Sequence, residues 1–275
     1  MKFPAYVIPY NTKVLWLLDR LWQAHKPTDR AGFNLPKPST EEKIGQWIWR
    51  CDFEAFSESR RIFTGSPVIQ QCLRHYNGFN SEVLIPPLNN PKLFSNSGDG
   101  GYVFAGGRVN FGMRQHLLVE SMALTKSAAK LIVAGPPDTP SDADRLRSSV
   151  KRLKLEERVI LDFGFHSEAK IADYVNHARA CACLHMDEHS VGCVIMEAAS
   201  ASKPVITLSD SGRMLALVLD GKTGCVAEPN AQAVAGAIDS LYSDHTRCEQ
   251  MGYAMRSLWE SLGVTWLQTI EKLLS

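Results

Sequence analysis

Residues 180–208 read ACACLHMDEHSVGCVIMEAASASKPVITL. Ala180–Leu184 is short and apolar on both faces, as strands covered by helices on each side are. Cys193–Ser202 reads as a helix, and Pro204–Leu208 as a second buried strand. A strand, a helix and another fully apolar strand in that order predict parallel pairing across a helical crossover.

The alternation continues on both sides. Gly101–Ala105, Leu131–Ala134 and Val159–Phe163 upstream, and Gly224–Ala227 downstream, are further short apolar runs. Helices are predicted at about 113–126, 141–154, 167–179, 213–219 and 231–243, beside the one after Gly192. Six strands make one doubly wound domain, and ligands of such domains bind outside the carboxyl ends of the strands.

Residues 1–90 read as an incomplete α/β segment. Tyr6–Tyr10 is a candidate strand, Lys13–Gln23 a helix, and Lys26–Pro38 a Pro-rich loop. Ser39-Thr40-Glu41-Glu42 fits a capping box for a helix reaching about Arg60, with Ile44, Trp47, Ile48, Cys51 and Phe56 on one side. Arg61–Thr64 and Val83–Ile85 read as strands, with Ser66-Pro67 as N-cap and first residue of a helix through His75. Trp16, Trp22, Trp47 and Trp49 are expected to pack against a missing or partnered sheet rather than to form an acceptor groove. The division expected is 1–90 for this segment, 91–255 for the six-stranded domain, and 256–275 for a C-terminal helix broken at Gly263.

Composition excludes other classes. The 275 residues are 45% hydrophobic and 21% charged, an ordinary globular balance. Thirty Lys plus Arg against 29 Asp plus Glu give a net charge of +1, so no basic excess supports nucleic-acid binding. The longest apolar runs, such as Val14–Leu18, fall far short of the ~20 residues a membrane span needs. Pro4, Pro9 and Asn11 interrupt any signal-peptide core, so the expected location is the cytoplasm, with a peripheral membrane position as a secondary expectation. Seven cysteines without ligand spacing predict neither a disulfide framework nor structural zinc. Neither a phosphate-loop motif nor G-x-G-x-x-G occurs.

The loop Met186–Gly192 lies at the carboxyl end of a predicted strand and leads into a helix. Gly192 lets backbone pass close to a ligand, and the N–H groups of the next helix form an anion site. A plain turn glycine is the alternative reading.

Taken together, the motifs resemble the retaining glycosyltransferases of family 4, in the donor-binding C-terminal domain of the GT-B fold. Phe104-Ala105-Gly106-Gly107-Arg108 resembles the family's "GR" element, Leu131–Gly135 its second strand, and Asp162–Phe165 its "F-x-G" strand end. His189–Ala198 resembles "E-x-F-G-x-x-x-x-E-A", Ala201–Ile206 resembles "A-x-G-K-P-V-I", and Asp220–Gly224 resembles "D-G-x-T-G". The likeness runs over about 62–255. It implies an α/β, GT-B-like fold, with one complete Rossmann-like doubly wound parallel-sheet domain beside a partial N-terminal α/β segment.

The activity implied is transfer of a sugar from a nucleotide-diphosphate sugar to an unknown glycan or lipid-linked acceptor, with retained configuration. The resemblance makes His189 and Arg108 the expected catalytic residues. It makes Gly107, Arg108, Arg114, Ser190, Val191, Gly192, Cys193 and Glu197 the expected substrate-binding residues. Arg108 would face the diphosphate, and Glu197 would accept the ribose hydroxyls. No metal or other cofactor is expected, and a partner chain or dimer completing the N-terminal domain is.

Three polar positions depart from the family pattern. Met113 stands where the family has Lys, with Arg114 beside it; His189 replaces an acid, with Glu188 beside it; and Ala216 replaces a Glu. The Ile8-Pro9-Tyr10-Asn11 stretch holds no histidine of the kind the family uses in its N-terminal domain. The alternative is therefore a non-catalytic, truncated relative that binds nucleotide or regulates another protein, while a GT-B-fold epimerase is a third reading. His166 and His185 read as structural loop residues, and Arg145, Arg147, Lys151, Arg152 and Lys154 as a solvated helix face.

Overall fold

The computed structural model describes residues 5–18, 40–186 and 192–275. The chain divides into two compact units, Met1–Pro87 with Trp266–Ser275, and Leu88–Thr265.

The first unit holds a parallel three-stranded sheet, ordered β1 (Val14–Leu17), β2 (Arg61–Thr64), β3 (Glu82–Val83). Val14 pairs with Arg61 and Phe63 with Glu82. Two elements differ from their sequence expectation. Ala5–Val7 forms a 3-10 turn where a strand was expected, and β1 replaces the start of the expected helix at Lys13. Pairing overrides helical spacing: Leu15 and Leu17 alternate into the core, and Trp16 Nε1 donates to Leu84 O at 2.8 Å. The remainder of that helix, the Pro-rich loop, Trp22 and Ser39 lie outside the described residues.

Helix α1 (Thr40–Ser57) buries Ile48, Asp52, Ala55 and Phe56, and Asp52 accepts a hydrogen bond from the Tyr6 hydroxyl. Ile44 and Trp47, expected on the side that carries Ile48 and Phe56, are exposed, as is Trp49, which stacks on Phe53. Ser66 caps α2 (Pro67–Cys72) by accepting from Ile69 N. The C-terminal stretch forms two helical pieces on either side of Gly263, as its sequence predicts. Helix α8 (His245–Ser261) belongs to the second unit. After Gly263, α9 (Trp266–Leu274) joins the first, where Trp266 meets Trp16 edge to face and Arg61 Nη1 donates to Lys272 O.

The second unit is built on a wholly parallel sheet of order β6-β5-β4-β7-β8-β9. Its strands are β4 (Tyr102–Gly106), β5 (Lys130–Gly135), β6 (Val159–Phe163), β7 (Ala180–Ala182), β8 (Val205–Leu208) and β9 (Gly224–Ala227). Its connecting helices are α3 (Gln115–Met122), α4 (Pro140–Arg152), α5 (Glu168–His177), α6 (Cys193–Ser200) and α7 (Ala231–Ser243). This is the expected doubly wound domain, with element ends shifted by a few residues. Between β8 and β9 the chain makes a 3-10 turn at Gly212–Ala216.

The central strands are almost wholly buried because helices cover both faces; Val103, Phe104, Leu131, Val133, Ala180 and Ile206 are fully inside. Thr139 and Asp142 close a capping box on α4, whose arginines stay in solvent while Leu146 and Val150 face inward. The chain runs outward from β4 through β5 to β6, then returns to lay β7 on the other side of β4. The direction of winding therefore reverses between β4 and β7, which opens a crevice outside their carboxyl ends.

Candidate functional site

The β4 loop lines one side of that crevice. Gly107 N is held by Ala134 O, Val109 N by Pro136 O, and Asp138 N by Val109 O, so the backbone around Arg108 is fixed from both sides. The Arg108 carbonyl accepts from Gln115 Nε2 at 2.8 Å. Its guanidinium projects outward, 65% exposed, with Asp138 Oδ2 at 3.6 Å as an ion-pair partner. The backbone at Arg108 is thus held while its guanidinium stays exposed.

After a 3-10 turn at Phe111–Met113, capped by Asn110, the chain reaches Arg114 in left-handed backbone, φ 55. The side chain is buried and donates Nη1 to Asp210 Oδ1 at 2.6 Å and Nη2 to Asp210 Oδ2 at 2.7 Å. The Arg114 hydrogen bonds hold the Asp210 carboxyl below the usual carboxylate range. Asp210, just past β8, was not among the residues chosen from sequence. Its one sequence signal is an acid beside the Ser211-Gly212 turn.

On the other side, Met186 N donates to Gly112 O at 3.1 Å, tying the β7 loop to the β4 loop. His189, Ser190 and Val191 lie outside the described residues. Gly192 is the N-cap of α6 in extended backbone, φ −59 and ψ 139. A Cβ there would come within 3.3 Å of Cys183 Sγ, so glycine lets α6 start tight against the end of β7. Cys193 is exposed in the first turn, where the helix dipole is positive.

Glu197 follows on α6. Burial, then the negative charge of Glu168, pushes its carboxyl up to about 7. The carboxylate has neither a hydrogen bond nor an ion pair among the described residues. A buried acid left without a donor disfavours its own ionisation until something supplies hydrogen bonds.

The structure thus brings Gly107, Arg108, Arg114, Gly192, Cys193 and Glu197 to the carboxyl edge of two neighbouring strands. It pairs Arg114 with Asp210. His166 takes the structural role expected, its Nε2 2.9 Å from Asp162 O, while Asp162 Oδ2 gathers Lys170 Nζ at 2.6 Å and the Tyr174 hydroxyl at 2.7 Å. Ala216 sits exposed in the 3-10 turn. Among the described residues, no group of three His, Cys, Asp or Glu side chains is placed to hold a metal, and no helix is long and apolar enough to cross a membrane.

A wholly parallel sheet whose winding reverses between β4 and β7, with an exposed arginine after β4 and a helix starting after β7, is the architecture of an α/β domain that takes ligands at its strand ends. The particular family follows from comparison. Residues 92–258 match the model for glycosyl transferases group 1, and the chain belongs to that family. It is 31% identical over 135 residues to the alpha-1,3/1,6-mannosyltransferase ALG2 of Dictyostelium discoideum, covering 46% of this chain and 31% of that protein. It is 28% identical over 149 residues to the alpha-maltose-1-phosphate synthase of Mycolicibacterium smegmatis, covering 51% and 38%. The match thus spans about a third of the length of these relatives. The structure of Anabaena HepE in complex with UDP superimposes with a TM-score of 0.74 at 19% identity, covering 94% of this chain and 71% of that one. HepE has also been solved with UDP-glucose. The fold is GT-B-like.

Proposed function

We propose that this chain binds a nucleotide-diphosphate sugar at the crevice between β4 and β7 and transfers the sugar, with retained configuration, to a glycan or lipid-linked acceptor. The observation that carries the reading is Glu197, a mostly buried carboxylate without a hydrogen-bond or ion-pair partner among the described residues, one turn into the helix that opens at Gly192. A ribose diol supplies the two O–H donors that this carboxylate lacks. The transition state of such a transfer gathers negative charge on the departing diphosphate. Arg108 and the positive end of α6 lower its energy there. Both positive elements belong to the protein, so the reading includes no metal or other cofactor.

Titration calorimetry with UDP, GDP and ADP, with and without chelator, tests it. Binding of one of them, unaffected by chelator, is expected; binding of none, or binding lost with chelator, overturns the reading.

A second reading, a non-catalytic nucleotide-binding or regulatory protein, is favoured by the pairing of Arg114 with Asp210, which withdraws one cation from the crevice. Slow release of free sugar from a bound sugar nucleotide, with water as acceptor, would decide for catalysis. The described strands of the first unit end in β1 and β3 as sheet edges. We include in the proposal a partner chain or second copy that adds strands there, which light scattering of the purified chain tests.

A further inference from the structure

We infer that Asp210 sets how tightly this crevice holds an anionic ligand, by occupying a guanidinium that the ligand would otherwise engage. The inference rests on the donor-site reading above and concerns its regulation.

Strands β4 and β8 flank β7 in the sheet. Arg114 follows β4 and Asp210 follows β8, so their ion pair bridges across the carboxyl end of β7, where the crevice opens. The arrangement is costly to build. Arg114 sits at φ 55, a region that residues with a Cβ avoid, and its side chain is only 10% exposed. A strained, buried arginine at a ligand crevice points to a function for its guanidinium.

The two parallel N–H···O bonds use the fork geometry that a phosphate would also use. Carboxylate and diphosphate are thus alternative partners for one cation. While Asp210 holds it, the pair adds no net charge to the crevice, and Arg108 is the exposed cation of the β4 loop. Asp210 is 41% exposed, so its far side meets solvent or ligand directly, and its negative charge opposes a phosphate placed there. The carboxylate acts as a counterweight that weakens diphosphate binding and favours release of the nucleotide product.

The test is a titration of UDP, GDP and ADP, each beside its uncharged nucleoside, against wild type, Asp210→Asn, Arg114→Met and the double variant, with circular dichroism reporting the fold. Asp210→Asn keeps the side chain's shape and removes its charge. It is expected to bind the preferred diphosphate about tenfold more tightly, the scale of one charged hydrogen bond, with nucleoside affinity unchanged. Arg114→Met leaves the acid uncompensated and is expected to weaken diphosphate binding tenfold or more, and the double variant to return toward wild type.

A diphosphate affinity of Asp210→Asn equal to or below wild type overturns the inference, as does an equal gain for the nucleoside, which marks a general change of shape. If Asp210→Asn does not fold, Arg114→Met carries the test, and an unchanged affinity there overturns it. Wild-type binding with no effect of Asp210 sinks this inference alone. Binding by neither wild type nor variant sinks the donor-site reading with it.

Discussion

Gly135, at the end of β5, lies so close over Gly107 that a Cβ on it would stand 2.0 Å from the Gly107 carbonyl oxygen. Its φ of 142 is also closed to residues with a side chain. The contact couples two strand ends, since Gly107 immediately precedes Arg108 and its backbone is what aims the guanidinium. Gly135→Ala must push the β4 loop outward. It is expected to cost about 2–4 kcal/mol of stability, measured by urea unfolding. It should also weaken nucleoside diphosphate binding beyond what the lost stability explains. Wild-type stability would mean that the two loops shift freely.

Arg108 offers the opposite behaviour. Its head is largely in solvent and its ion pair with Asp138 is long, so removing it should leave the unfolding midpoint unchanged. Arg108→Ala is nonetheless expected to weaken diphosphate binding by about 1.5–3 kcal/mol, the scale of a charge-assisted hydrogen bond. Calorimetry on the variant checks both halves. An unaltered dissociation constant would place this arginine outside the site.

The second unit was legible in the sequence because its central strands are buried on both faces and appear as mostly apolar runs that local composition alone identifies. The first unit was less so. Val-Leu-Trp-Leu at 14–17 carries the same residues in a strand as in a helix, and the deciding factor is the pairing with Arg61–Thr64, far away in the chain. At the site, the loop pattern gave the positions of Gly107 and Arg108 after β4 and of Gly192 and Cys193 at the start of α6. What the pattern could not supply was the partner of Arg114, because a pair spanning positions 114 and 210 exists only once β4 and β8 are laid on either side of β7.

His189 occupies the position where the resembled family has an acid against the transferred sugar. Imidazole offers one donor or acceptor per ring nitrogen, whereas a carboxylate only accepts. If His189 faces the sugar, His189→Glu is expected to change the relative affinities of sugar nucleotides by about tenfold, since a mismatched buried hydroxyl costs roughly 1–3 kcal/mol. The free nucleoside diphosphate should bind as before. Competition titrations with UDP-glucose, GDP-mannose and their parent diphosphates separate the two effects, and equal changes in both would remove His189 from sugar recognition.

Glu197 gives the clearest pH signature. Its folded carboxyl titrates at about 7 against an ordinary value of 4.5, with burial as the main cause. A raised acid binds its proton more tightly in the native state than in the unfolded one. Stability is therefore undiminished below pH 4.5 and falls as pH rises toward 7, by roughly 3 kcal/mol in all. Asp162, Asp210 and Asp239, all lowered, tilt the curve the other way, so the test is the difference between wild type and Glu197→Gln. The variant should match wild type at about pH 4.5 and exceed it by up to ~3 kcal/mol near pH 8 in urea unfolding. Binding should show the converse. Two ribose hydroxyls need the ionised carboxylate, so nucleotide affinity in wild type should rise with pH through about 7 and lose that rise in Glu197→Gln. A stability difference that stays flat with pH would mean that Glu197 ionises at its ordinary value. A nucleotide affinity with the same pH dependence in both proteins would move the ribose elsewhere.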